Sequence, residues 1–299
     1  MKKTILFVVV VILALSCASR ADSPEQRKAP VGWVLERGVN FLTDHFTPGL
    51  RLVSAYGEAG ITRLFKWVLY VHWAVIIVII SVLCFLYQRS IKHAILVAFG
   101  LLLIVNLGLW VETIKTLTLV VLSSFLAISV GVPVGVMAAR KPWFHAALRP
   151  LLDLIETIPT FVYLIPTLML FGLGLVPGLI FTVMFVIAVP IRFTYLGLIS
   201  VPRDLVEASR SFGATKLQTL LTVELPCARP SIVAGFSQCI MLALSMVVIA
   251  ALIGMDGLGT PVVRALNSAN LVPGFESGIA IIILAILLDR TLNPKRMCR

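Results

Sequence analysis

The sequence predicts an all-α membrane protein, a polytopic bundle of apolar helices. Of its 299 residues, 59% are hydrophobic and 13% are charged, which is about half the charged fraction of a soluble domain. The mean hydropathy is +1.03, and several runs approach or exceed the roughly 20 apolar residues that cross a bilayer. We therefore expect about seven spans after a signal-like N-terminal segment. The runs are approximately 68–87, 91–109, 113–139, 150–172, 176–199, 231–253 and 274–291.

Residues 1–21 have the layout of a secretory signal or a short signal anchor. Lys2 and Lys3 precede an apolar core that ends in small residues near Cys17, as in targeting segments. Residues 22–66 follow as a mixed polar tail, which we predict to be extracytoplasmic and amphipathic because apolar side chains recur at helical spacing. These side chains are Val31, Val34, Leu35, Phe41 and Leu42.

Basic residues between the runs orient the predicted spans. They concentrate in loops 88–93, 140–149 and 200–230 and in the C-terminal tail, residues 293–299, whereas the alternate loops hold few. The positive-inside rule places the first set in the cytoplasm. The net charge of +11 thus reflects membrane orientation, and no basic helix with interleaved aromatics predicts a nucleic-acid partner. The scattered cysteines and histidines indicate neither a disulfide framework nor a metal site.

The fourth run is interrupted by proline and carries charges at its cytoplasmic end. Pro159 and Pro166 remove backbone hydrogen bonds, so neighbouring helices or a water-lined cavity must satisfy the freed carbonyls. The sequence leaves open whether this helix is simply kinked or lines a path. Asp153, Glu156 and, in the fifth run, Arg192 are costly at membrane depth. They either anchor the structure or pair to close a cytoplasmic mouth.

Loop 200–230 predicts two short helices separated by a break. Asp204 and Glu207 favour the N-terminal end of the first helix, and Gly213 stands where a helix ends in a left-handed residue. Thr215 and Gln218 are spaced as a capping box for the second helix.

The second helix is predicted to present one apolar side and to stop at Pro226. Pro230 is then expected to begin the next span. Such a helix–glycine–helix unit suits docking of a cytoplasmic partner, and an inert hairpin on the lipid is the alternative. The side consists of Leu217, Leu220 and Leu221 with Glu224.

The spacing within this loop resembles the EAA loop of ABC-importer permeases. That pattern is Glu-Ala-Ala, then glycine after three residues, then Ile-x-Leu-Pro after nine more. Serine replaces the second alanine here, and valine replaces isoleucine. The matching residues are Glu207, Ala208, Ser209, Gly213, Val223, Leu225 and Pro226.

Three flanking segments resemble permeases for glycine betaine, choline and proline betaine. They are DLIETIPTFVYLIPTLMLFGLG (153–174), IRFTYLGLISVPRDLVEASRSFGAT (191–215) and MLALSMVVIAALIGMDGLG (241–259). The resemblance is close over 110–292, looser over 31–109, and excludes the signal-like start. It implies a type I ABC importer transmembrane domain at 110–292 and two accessory transmembrane helices at 67–109.

The resemblance also implies partners and a location. Glu207, Ala208 and Gly213 would lie in the coupling helix that enters a groove of a cytoplasmic ATPase subunit, and Leu225 and Pro226 would fix its return to the membrane. A solute-binding protein outside and a second copy of the permease would complete the assembly, surrounded by lipid in the bacterial inner membrane. The chain has no GxxxxGK[ST] phosphate loop. We therefore expect no cofactor in this chain and no enzyme activity, with ATP and magnesium bound by the ATPase.

The function implied is a permease subunit of an ATP-driven importer for quaternary ammonium compatible solutes. A permease for an amino acid or another small solute is the alternative. Pro159, Phe161, Tyr163 and Pro166 are candidates to line the path, where aromatics attract a quaternary ammonium by cation–π contact worth about 0.5–2 kcal/mol. A membrane-embedded enzyme would need convergent ionisable groups, whereas the few ionisable residues here lie at span ends. A secondary transporter would usually show inverted repeats and a charged site at the membrane midplane, and the sequence shows neither.

Overall fold

The computed structural model describes residues 54–88 and 90–292. The signal-like segment, the predicted apolar spacing at 31–42 and the C-terminal tail lie outside these ranges. Within them almost every residue is helical and no strand occurs, which confirms the all-α fold class.

The described helices follow one another through short connections. In chain order they are α1 (Ser54–Tyr70), α2 (Trp73–Gln88), α3 (Ile91–Asn106), α4 (Trp110–Arg140), α5 (Pro142–Thr157), α6 (Thr160–Phe171), α7 (Leu175–Val186), α8 (Ala188–Ile199), α9 (Arg203–Ser211), α10 (Lys216–Thr219), α11 (Leu225–Ser245), α12 (Val247–Ala251), α13 (Gly259–Ser268) and α14 (Leu271–Leu292). A π-helical turn, Leu220–Glu224, joins α10 to α11.

Four helical stretches in the described residues are long and apolar enough to cross a membrane. They match the predicted runs 113–139, 176–199, 231–253 and 274–291. The pairs α1–α2 and α5–α6 are bent by 92° and 99°, and counting each as one broken span gives up to six. The helix α3 has 16 residues, short of the roughly 20 that span a bilayer. The prediction of seven spans is therefore not confirmed.

The fourth run, 150–172, is two helices that meet at a bend of 99°, so the expectation of one unbroken helix there is wrong. The chain leaves α5 at Ile158, whose backbone is extended (φ −68°, ψ 130°), because a residue before proline disfavours the helical conformation. Amphipathic α5 packs its apolar side on α8, with Leu152 buried against Ala188 and Ile191. The turn to α6 follows directly.

Small residues bring α4, α8 and α11 into close contact. A Cβ added at Gly131 would lie 2.7 Å from Pro190 Cγ in α8, and one at Gly235 in α11 would lie 2.5 Å from Phe193 Cβ. Glycine at such positions lets helix backbones approach in a membrane. The contacts enclose α8 between α4 and α11, and α8 leads directly into loop 200–230.

At the end of the bundle opposite loop 200–230, residues 252–258, here called the outer segment, contact the start of α4 and the residue before α7. Lys115 Nζ lies 2.9 Å from Asp256 Oδ2, and the Leu258 N–H donates to Thr116 Oγ1 at 2.8 Å. The Gly174 N–H donates to the Ile253 carbonyl at 3.0 Å. The stretch Leu175–Ile199 of 25 residues separates this end from the loop by about 37 Å.

Candidate functional site

Residues 203–224 form a polar knob whose first helix ends as predicted. Pro202 precedes α9 as its N-cap, and Asp204 lies in the first turn of the helix, where a negative charge interacts favourably with the helix dipole. Gly213 has φ +81° and its N–H donates to the Arg210 carbonyl at 2.9 Å. The left-handed residue at the helix end is confirmed.

The second helix of the polar knob begins with the predicted capping box. Thr215 Oγ1 accepts from the Gln218 N–H at 3.3 Å, and Gln218 Oε1 accepts from the Thr215 N–H at 2.8 Å. Ser209 Oγ lies 3.1 Å from Thr219 Oγ1. Ser209, the serine in place of the motif's second alanine, thus ties α9 to α10.

Gly213→Ala is expected to destabilise the protein by about 1 kcal/mol, because alanine is strained in the left-handed region. No atom lies within 4 Å of the added Cβ, so the conformation alone is tested. The unfolding temperature should fall by about 2–4 °C. Gly60→Ala, at a helical glycine with equally open surroundings, is the control and should lose nothing. Equal unfolding temperatures of the Gly213→Ala and Gly60→Ala variants would contradict the prediction.

The helix does not stop at Pro226, and Pro230 does not begin the next span, so both expectations are wrong. Pro226 lies in the first turn of α11, and Pro230 lies inside it. The helical stretch is continuous from Lys216 to Ala251. Proline is tolerated in a first turn, and the preceding π-helical turn shifts the backbone hydrogen bonds by one residue.

The residues of the predicted apolar side of the second helix differ in burial, so they do not form one continuous buried side. Leu217 and Leu221 are 63% and 55% exposed, whereas Glu224 is 9% exposed. The π-helical turn changes the register of facing side chains, which explains the division. Arg140 Nη2, at the end of α4, lies 2.7 Å from Glu224 Oε2. Sequence reasoning missed this ion pair, because nothing local connects residues 84 positions apart.

The motif residues lie at several depths in the knob and the start of α11. Those at the surface are Glu207, Ala208, Gly213 and Pro226, and those that are half-buried are Ser209, Val223 and Leu225. Phe212 beside Gly213 is 93% exposed, and sequence reasoning missed it. An aromatic residue next to a helix-ending glycine in a polar loop was the available signal, since exposed apolar surface marks interaction sites.

The three predicted mouth charges are brought together by the packing of α5 on α8. Arg192 Nη2 lies 2.6 Å from Asp153 Oδ1, and Arg192 Nε lies 3.1 Å from Glu156 Oε1. His145 of α5 and Tyr195 of α8 also stack, with ring centroids 3.9 Å apart. These contacts hold α5 against α8. Their part in closing a cytoplasmic mouth stays a prediction.

Of the four predicted path residues, Tyr163 has a clear structural role. Pro159 has no N–H for the Ile155 carbonyl, which an uninterrupted helix would satisfy. Tyr163 Oη instead donates to that carbonyl at 2.8 Å. Phe161 is 57% exposed, Pro159 is exposed, and Pro166 is half-buried. Their lining of a path stays a prediction.

Tyr163→Phe is expected to lower stability by about 1 kcal/mol, the usual net contribution of one hydrogen bond, because the bond to the partly buried Ile155 carbonyl is lost. Thermal unfolding and the KM of uptake should be measured together, and only the unfolding temperature should change. Tyr70→Phe, at a tyrosine that is 92% exposed, is the control. An unchanged unfolding temperature with a changed KM would instead place the Tyr163 hydroxyl in contact with the solute.

A family model described as "binding-protein-dependent transport system inner membrane component" matches residues 131–292, more than half of the 299 residues. The chain belongs to this family. It is therefore a membrane-spanning permease of a transport system that includes a binding protein, and the predicted inner-membrane location is confirmed.

Two curated permeases are similar over most of this chain. The glycine betaine/carnitine transport permease protein GbuB of Listeria monocytogenes is 44% identical over 235 residues, 77% of this chain and 83% of that protein. The glycine betaine/proline betaine transport system permease protein ProW of Escherichia coli is 41% identical over 261 residues, 86% of this chain and 72% of that protein.

A solved structure shares the fold of this permease. The inward-facing MetNI methionine ABC transporter matches with a TM-score of 0.55 at 21% identity, covering 60% of this chain and 90% of that one. The likeness confirms the type I ABC importer permease fold.

Proposed function

We propose that this chain is the permease subunit of an ATP-driven importer for quaternary ammonium compatible solutes, such as glycine betaine, proline betaine and choline. The observation that carries the proposal is the 44% and 41% identity to permeases named for glycine betaine. That similarity extends over 77% and 86% of the chain, well beyond the region of the family model.

In this proposal the polar knob is the docking site for a cytoplasmic ATPase subunit. Glu207 and Ala208 are exposed on α9, and Phe212 beside them is 93% exposed. This mixed charged and apolar surface is suited to a groove on a partner protein. The capping box and Gly213 hold the surface rigid, so little ordering entropy is lost on docking.

The ATPase subunit supplies the chemistry, and this chain supplies the path. ATP and magnesium are bound by the ATPase, so the permease holds no cofactor and catalyses no reaction. Two copies of the chain enclose the path, and the binding protein delivers solute at the end where the outer segment lies. Alternating access then follows from movement of the two docked knobs. The exposed Phe161 and Pro159 and the half-buried Pro166 are the proposed lining of this path.

Uptake by proteoliposomes tests the proposal. The chain is reconstituted with its ATPase, the binding protein and labelled glycine betaine are added outside, and ATP is enclosed. Excess choline, proline betaine or proline is then added as competitor. We expect ATP-dependent uptake that the quaternary amines reduce and proline does not. Uptake reduced by proline alone, or of another amino acid in place of betaine, contradicts the proposal and favours an amino-acid permease.

A further inference from the structure

Arg140 joins three parts of the structure at the base of the polar knob. It is the last residue of α4, and its Nη2 lies 2.7 Å from Glu224 Oε2 in the π-helical turn. The same nitrogen lies 3.4 Å from the carbonyl oxygen of Lys216, the first residue of α10. One guanidinium thus contacts the second half of the knob at both of its ends.

The burial of Glu224 makes this contact hard to break. Its side chain is 11% exposed, and that of Arg140 is 30% exposed. A buried carboxylate that loses its ion-pair partner is left uncompensated in a poorly hydrated place, which is unfavourable. Movement of the knob away from α4 is therefore opposed.

The other end of α4 holds the outer segment. Near its start, Lys115 pairs with Asp256 at 2.9 Å, and Thr116 Oγ1 accepts the Leu258 N–H at 2.8 Å in a buried position. A Cβ on Gly257 would lie 2.5 Å from Thr116 Oγ1, so the segment is in direct contact with the helix. The attachments at Lys115 and Arg140 lie near the two ends of this 31-residue helix, so α4 extends about 37 Å between them.

We propose that Arg140 and Glu224 are a positioning pair that makes α4 follow the polar knob, so that α4 carries displacement of the knob to the outer segment. The inference rests on the proposed function, in which the ATPase moves the knob. Neither residue is a fixed position of the EAA spacing. Without the pair, the knob would remain attached to the bundle through the chain at α8 and α11 but would move independently of α4.

The test compares Arg140→Gln and Glu224→Gln with Arg229→Gln, the same loss of positive charge at an exposed position on α11. Each variant is reconstituted with the ATPase and the binding protein. Three quantities are measured: the amount of assembled complex, ATP hydrolysis, and solute taken up per ATP. We expect uptake per ATP to fall about fivefold or more in the first two variants, as is typical for loss of coupling between sites. Arg229→Gln should match the wild type.

Two rescue variants separate coupling from stability. Arg140→Lys keeps the positive charge near Glu224 and should retain most of the uptake per ATP. The double variant Arg140→Glu with Glu224→Arg should recover part of what Arg140→Glu loses. Uptake per ATP equal to the wild type in Arg140→Gln and Glu224→Gln, with only a lower unfolding temperature, overturns the inference and leaves the proposed function intact. Absence of ATP-driven uptake in the wild type overturns the proposed function itself.

Discussion

Replacing Glu207 by arginine is expected to reduce ATP-driven uptake at least about tenfold, because losing one charged partner in a docked interface usually costs more than 2 kcal/mol. Glu207 is exposed on α9, and the described structure gives its carboxylate no ion pair within the chain. Its reversal therefore leaves the fold of the permease intact. Copurification of the ATPase, hydrolysis and uptake should be measured on the same membrane preparations.

Asp204→Arg is the matched control for this variant. It makes the same charge reversal one turn earlier on α9, at an exposed position outside the motif spacing. We expect a clearly smaller loss of uptake than for Glu207→Arg. Equal losses would assign the effect to the overall charge of the knob, and full uptake by Glu207→Arg would remove its docking role.

Gly135→Val is expected to destabilise the permease by about 3 kcal/mol, the upper part of the range for overpacked sites. A Cβ at this position would lie 2.7 Å from Thr194 Cβ and 2.8 Å from the Ile191 carbonyl oxygen. The backbone oxygen cannot move as a side chain can, so α4 and α8 must separate. Thermal unfolding of the purified protein measures the loss.

Gly278→Val controls for placing a β-branched residue at a helical glycine. No atom lies within 4 Å of a Cβ at Gly278 on α14, so only the change in helix propensity is felt, about 0.5 kcal/mol or less. Similar unfolding temperatures for the two variants would show that α4 and α8 do not depend on close approach at Gly135.

Apolar runs predicted the long helices well but not the bend between α5 and α6. Run length and hydropathy are properties of the chain itself, so they carry over to the structure. Pro159 is compatible with either a kinked continuous helix or two separate helices. The outcome depends on Tyr163, which satisfies the freed Ile155 carbonyl, and on the apolar side of α5 packing against α8. Neither contact is visible in a hydropathy pattern.

In the candidate site, features set by neighbouring residues were predictable, and features set by residues distant in sequence were not. Gly213 and the pair Thr215 and Gln218 were predictable because their conformations depend on neighbours within five positions. The continuation of the helix through Pro226 depends on the π-helical turn before it, for which the sequence has no strong signal. The Arg140–Glu224 pair depends on α4 ending beside the knob, which only tertiary structure determines.

The central claim is that this permease moves solute only when a separate ATPase is docked to it. The direct measurement is uptake of labelled glycine betaine by proteoliposomes that contain the chain with the ATPase, the chain alone, or the chain with an ATPase that binds but does not hydrolyse ATP. With binding protein outside and ATP enclosed, uptake is predicted in the first preparation alone. Uptake by the chain alone, driven by an ion gradient, would contradict the claim and identify a secondary transporter.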